Sequence, residues 1–111
     1  MDYKCVTNLD DVKRYINGAR ITAFDFETAP DEMYRKEERA ALNAHKSHIV
    51  GISFSVRPEA AIYVPVKHRR SRNVNDRIGL WVWLTDAVFQ NPDVIKVAHN
   101  LSFETMFLRS I

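Results

Sequence analysis

Asp25 and Glu27 stand two residues apart in Ile-Thr-Ala-Phe-Asp-Phe-Glu-Thr, the stretch from Ile21 to Thr28. β-Branched and aromatic residues dominate it, which predicts a strand. Alternation then sets Phe24 and Phe26 on one face and Ala23, Asp25 and Glu27 on the other. At a rise of about 3.3 Å per residue, the Cα atoms of the two acids are roughly 6–7 Å apart. Neither has a Lys or Arg within two residues. Like charges held that close beside large apolar groups are costly unless a cation lies between them. A hard divalent ion with oxygen ligands suits the pair. The plainer alternative is a half-exposed strand whose polar face carries acids.

A third carboxylate comes from Asn100-Leu-Ser-Phe-Glu104. Val94 to Ala98 reads as a short buried strand and Ser102 to Ile111 as a closing helix, with Phe103, Met106, Phe107 and Ile111 inward. Asn100 and Glu104 are four apart and project from the same side of the helix start. Sites in such sheets gather at strand ends, so Glu104 could meet Asp25 and Glu27 across neighbouring strands. Taken alone, Glu104 is equally a first-turn acid favoured by the helix dipole.

The other elements must position these groups. Met1 to Thr7 forms a short strand or extended lead-in. Thr7 or Asn8 then caps a helix carrying Leu9, Val12, Tyr15 and Ile16, which Asn17-Gly18 ends. Ala29-Pro30-Asp31 is expected to break the carboxylate strand, and Asp31 to Lys46, rich in helix formers, to form a surface helix. Ile49 to Val56, the turn Arg57-Pro58-Glu59, and Ala60 to Val66 predict an antiparallel hairpin. Lys67 to Arg77 is a polar loop, in which Lys67, His68, Arg69, Arg70 and Arg72 cluster. This run either touches phosphates or is simply solvated. Asn75-Asp76 caps a helix running to about Gln90. Its run Leu80-Trp81-Val82-Trp83-Leu84 is apolar on every face. Either the helix is sandwiched or a Trp faces a partner, and a strand is open there too.

With 111 residues the chain suits one domain, and 46% hydrophobic with 27% charged residues is ordinary for a soluble globular protein. A formal charge of +2 excludes a dominating field toward nucleic acid or membrane. The single Cys5 excludes an internal disulfide and a cysteine-rich zinc site, and suits a reducing compartment. Cys5 itself reads as an inert core or edge residue. His45 and His48 have workable helical spacing, but His68 and His99 supply no second pair with ligand spacing, so zinc is not expected. No secretory signal and no apolar run of spanning length occurs, which gives a cytoplasmic expectation.

Phe-Asp-Phe-Glu-Thr at 24–28 resembles the first motif of the DEDD-type 3′–5′ exonucleases, Asp-x-Glu on a central strand. His-Asn-Leu-Ser-Phe-Glu at 99–104 resembles their second motif, Asn-x-x-(Phe/Tyr)-Asp, with Glu104 where the family carries Asp. The nearest likeness is to the proofreading domains of bacterial and phage family-A DNA polymerases. Ile49–Val56 and Ala61-Ile-Tyr-Val-Pro-Val66 are similar to their second and third strands. The resemblance covers most of the chain from Ile21 onward.

It implies an α/β fold: an RNase H-like mixed sheet, three antiparallel strands followed by strand–helix units, in a single partial domain over residues 1–111. It implies two-metal hydrolysis of a DNA 3′-terminal phosphodiester with Mg²⁺ or Mn²⁺. Asp25 would bridge both ions, Glu27 would hold the one that activates water, and Glu104 would support the second. Asn100 would steady the strand-to-helix turn or a nucleotide. Thr28 and Phe103 would line the terminal nucleotide pocket, with Lys67, Arg69 and Arg70 toward the phosphates.

The partners implied are a single-stranded DNA 3′ end, a polymerase domain in a longer protein, and no membrane. The family's third motif is not found before Ile111. The expectation is therefore a fold incomplete at its C-terminus, little turnover by this chain alone, weak divalent-ion binding, and self-association through uncovered core surface. The alternatives are a non-catalytic nucleic-acid-binding or scaffold module of the same fold, and an RNA exonuclease of the same superfamily.

Overall fold

The computed structural model describes residues 2–36, 46–69 and 72–98. Within these residues five strands form one mixed sheet: β1 (Asp2–Cys5), β2 (Ile21–Pro30), β3 (Ser47–Arg57), β4 (Ala60–Pro65) and β5 (Ile95–Ala98), in the order β1-β4-β3-β2-β5. β2, β3 and β4 pair antiparallel, while β1 runs parallel to β4 and β5 parallel to β2. This is the expected α/β mixed sheet, with an antiparallel centre and a parallel strand added after a helical crossover.

Among the described residues two helices cover one face. Helix α1 (Leu9–Ile16) starts at Asn8, whose side chain accepts from the Asp10 amide at 2.8 Å. It ends before Gly18, which takes the left-handed conformation at φ 78° that a residue without Cβ adopts freely. Helix α2 (Arg77–Leu84) starts at Asp76, whose carboxylate accepts from the Gly79 amide at 2.9 Å, and continues through a π-turn at Thr85–Phe89.

Phe24, Phe26, Ile52, Phe54, Ile62 and Val64 face these helices and bury against Leu9, Val12, Ile16, Leu80, Leu84 and Val88. Phe24, Phe26, Phe89 and Trp81 meet edge-on or tilted, with centroids 5.1–6.4 Å apart. Such contacts add to the area each ring buries.

Four expectations are corrected or narrowed. β2 does not break at Ala29-Pro30. The register shifts between Glu27 and Thr28, after which Thr28, Ala29 and Pro30 pair with Ile49, His48 and Ser47. A bulge lets the strand continue, and Pro30 is tolerated because the next donor toward β3's side is the Asp31 amide, which bonds the Lys46 carbonyl at 2.8 Å.

The helix expected from Asp31 is, in its described part, only a 3₁₀ turn at Glu32–Tyr34; positions 37–45 lie outside the described residues. α2 is neither sandwiched among the described residues nor a strand. Leu80 and Leu84 are fully buried while Ile78 and Val82 are 77% and 67% exposed. Finally, among the described residues β5 is an edge strand rather than a buried one. Its register opposite Ile21 and Ala23 puts Ile95 and Val97 on the face away from the helices, 61% and 49% exposed. The expected closing helix lies outside the described residues, and among those described no helix is long and apolar enough to cross a membrane.

Candidate active site

Period-two alternation along β2 produces the site. Phe24 and Phe26 go into the core, so Ala23, Asp25 and Glu27 face the other way, and both acids are exposed. β2 lies inside the sheet, between β3 and β5, so this carboxylate face is a broad surface and not an outer rim. Its neighbours are small. Asp25 is opposite Ser53 and Glu27 opposite Gly51. Two hollows result. One, of about 280 Å³, is lined by Ala23, Asp25, Ser53, Ser55, Ala61 and Val97. The other, of about 750 Å³, begins at Glu27 and Thr28 and is walled by Arg35, His48, Lys67, His68 and Arg69, with Asp31 and Glu32 on its acidic side.

The loop after β4 brings the basic residues there, and it is pinned rather than loosely tethered. The amides of Val66 and Lys67 both donate to the Val50 carbonyl, at 2.8 and 3.0 Å. Asn73 clamps His68, accepting from its amide at 2.7 Å and donating to its carbonyl at 3.0 Å. Val74, buried despite sitting in a polar stretch, donates its amide to the Pro65 carbonyl at 2.7 Å. His48 Nδ1 lies 2.9 Å from Asp31 Oδ1 across the cleft's other wall.

Sequence reasoning missed a side chain at the centre of this face. Tyr63 reaches across from β4 and donates its hydroxyl to Glu27 Oε2 at 2.8 Å. Its oxygen is 2.6 Å from His68 Nε2, and the two rings meet edge-on at 5.7 Å. The phenol's one proton is committed to Glu27, so Nε2–H of His68 donates to it. Partial burial, and then the bond to and charge of Glu27, push the Tyr63 phenol well above its ordinary range. It is therefore a donor throughout neutral and moderately alkaline pH.

The ring can lie this way because position 51 is glycine; a Cβ there would overlap the Tyr63 hydroxyl and ring. Gly51, inside a run that otherwise reads as a good strand, was the legible signal. A glycine in a strand interior marks a bulge or a close approach.

Of the residues expected in the site, the structure brings Asp25 and Glu27 onto one face and joins Glu27, Thr28, Lys67 and Arg69 in one cleft. Arg70, Asn100, Phe103 and Glu104 lie outside the described residues, as do His45 and His99. Among the described residues no three His, Cys, Asp or Glu side chains form a group able to hold a metal. Two carboxylates are present, and their hard oxygen donors fit a divalent cation in kind. Ala98 is opposite Phe24, so β5 ends beside the residue preceding Asp25. Glu104 is six positions further on in sequence, a reach of at most about 20 Å of extended chain.

No protein-family model matches the chain, and no curated protein sequence matches it. Solved structures do. The Nibbler EXO domain of Aedes aegypti superposes with a TM-score of 0.64 at 15% identity, over 97% of this chain and 45% of that one. NrnC of Brucella melitensis superposes with a TM-score of 0.58 at 16% identity, over 98% of this chain and 42% of its own length. The fold is thus the one these domains share. The chain spans less than half the length of either.

Proposed function

We propose that this chain is part of a divalent-metal-dependent exonuclease domain of the DEDD type, removing nucleotides from the 3′ end of a single-stranded nucleic acid, DNA in the first instance. The observation that carries the reading is the placement of Glu27. It shares one sheet face with Asp25 and one cleft with Lys67, Arg69 and Arg35. Carboxylates that attract cations thus adjoin cations that attract phosphates, as phosphodiester hydrolysis requires. The likeness to an EXO domain agrees with it.

The roles follow from chemistry. Asp25 and Glu27 would supply the oxygen ligands, and Glu104 a third from the strand-to-helix turn. Bound Mg²⁺ or Mn²⁺ would supply charge stabilisation for the attacking and leaving oxygens. Lys67 and Arg69, with Arg70 beside them in sequence, would hold the phosphates that precede the scissile bond. Thr28 lines the cleft next to Glu27 and would contact the terminal nucleotide. Asn100 and Phe103 would steady and stack on it. A proofreading origin beside a polymerase is the narrower form of the same proposal.

The test has two arms on the 111-residue chain. Mn²⁺ binding followed by electron paramagnetic resonance should be measurable in the wild type and lost in Asp25→Ala. Trimming of a 3′-labelled single-stranded oligonucleotide should be slow in the wild type and absent in the variant. Wild-type Mn²⁺ binding no better than that of Asp25→Ala, with oligonucleotide binding retained, would overturn the enzyme in favour of a non-catalytic binding module. DNA and RNA substrates run in parallel decide the sugar.

A further inference from the structure

Among the described residues, Glu27 differs from Asp25 in being held. A glutamate on an open sheet face has three rotatable side-chain bonds and several staggered rotamers open to it. Here Tyr63 donates to Oε2 from across the sheet, and Tyr63 is itself fixed from behind by His68 Nε2. His68 in turn is held by the Asn73 clamp on its backbone. The chain of contacts runs from a pinned loop, through two rings, to one carboxylate oxygen. Gly51 leaves the ring the space it occupies. A carboxylate offers about four lone-pair sites, so one phenol bond orients the group without exhausting its capacity for a cation.

We infer that Tyr63, propped by His68 and lying over Gly51, sets the orientation of Glu27 and is a positioning residue for divalent-cation binding at that carboxylate. The inference rests on the metal-dependent reading of the site proposed above. Tyr63 touches neither cation nor substrate in this scheme; it acts through Glu27. Outer partners that orient a metal-binding group are worth about 10–100-fold in affinity or activity. His68 has a second consequence: it ties the cleft's basic loop to the carboxylate face, so that phosphates held by Lys67 and Arg69 keep a fixed offset from Glu27.

The experiment measures Mn²⁺ affinity of the full chain directly, with thermal unfolding alongside. Tyr63→Phe keeps the ring and removes the hydroxyl. It should weaken Mn²⁺ binding by about 10-fold or more with little change in melting temperature. His68→Ala should weaken it in the same direction, and His68→Gln, which can still donate to the phenol, should restore it in part.

Gly51→Ala should displace the ring and reproduce the Tyr63→Phe loss, with the double variant no worse than either single one. If Gly51→Ala does not fold, Tyr63→Phe decides alone. Wild-type affinity in Tyr63→Phe, while Asp25→Ala abolishes binding, would overturn the positioning role and leave the function standing. Absence of Mn²⁺ binding in the wild type would overturn the function first.

Discussion

At the scale of single residues, the two faces of β2 obey opposite rules. On the outer face polar groups have water or one another. On the inner face Thr22 is fully buried, and its hydroxyl finds no partner among the described residues. A buried hydroxyl without a hydrogen bond costs about 1–3 kcal/mol relative to one that is paired. Valine has nearly the same shape and suits a strand better. Thr22→Val should therefore raise stability by about 1 kcal/mol, read in urea unfolding as a higher midpoint at unchanged slope. A drop in the midpoint would mean that the hydroxyl has a partner. The alternation that exposes Asp25 and Glu27 was visible in sequence because Phe24 and Phe26 interleave with them. Of the Tyr63 contact only the space at Gly51 was legible; which residue of β4 fills it was not, because that depends on register. That register is fixed by a two-residue turn and an irregularity between Phe54 and Arg57, which no local pattern announces.

Elements were legible to the extent that each carried its own punctuation. Asn8 and Gly18 bound α1 as expected, and the Arg57-Pro58-Glu59 turn made the hairpin. β5 and α2 were harder for one shared reason. A continuous apolar run says that an element contains hydrophobic residues, but not which of them meet the core. In α2 the answer is Leu80, Leu84 and, in the turn that follows, Val88, spaced four apart. Leu80→Ala should then cost about 2–5 kcal/mol, whereas Ile78→Ser, two residues earlier and 77% exposed, should stay within about 0.5 kcal/mol of the wild type. Equal losses in chemical denaturation would show that the helix is covered on both sides. In β5 the apolar pair Ile95 and Val97 faces outward instead, beside Ile21 and Ala23, while Lys96 takes an inward position and sends its ammonium to the Asn91 carbonyl at 2.8 Å. The same placement ends the described part of β5 at Ala98, opposite Phe24 and one residue short of Asp25.

For the whole molecule, the relevant electrostatic fact is distribution rather than total. A net charge of +2 over 111 residues could not by itself hold a polyanion. Arg35, Lys67 and Arg69 nevertheless converge on one cleft, and α1, with Lys13 and Arg14 in its last turn, packs on the opposite face of the sheet. Binding of single-stranded nucleic acid releases counterions in proportion to the phosphates neutralised. Three contacts correspond to a slope of log affinity against log salt of roughly −2. Lys67→Ala should flatten that slope by about 0.7 and weaken binding similarly for every sequence tested. Lys13→Ala changes the net charge by the same amount on the far side and should leave the slope where it was. Identical slopes for the two variants would show that the strand is held by diffuse charge, and that the cleft beside Glu27 is not the path it takes.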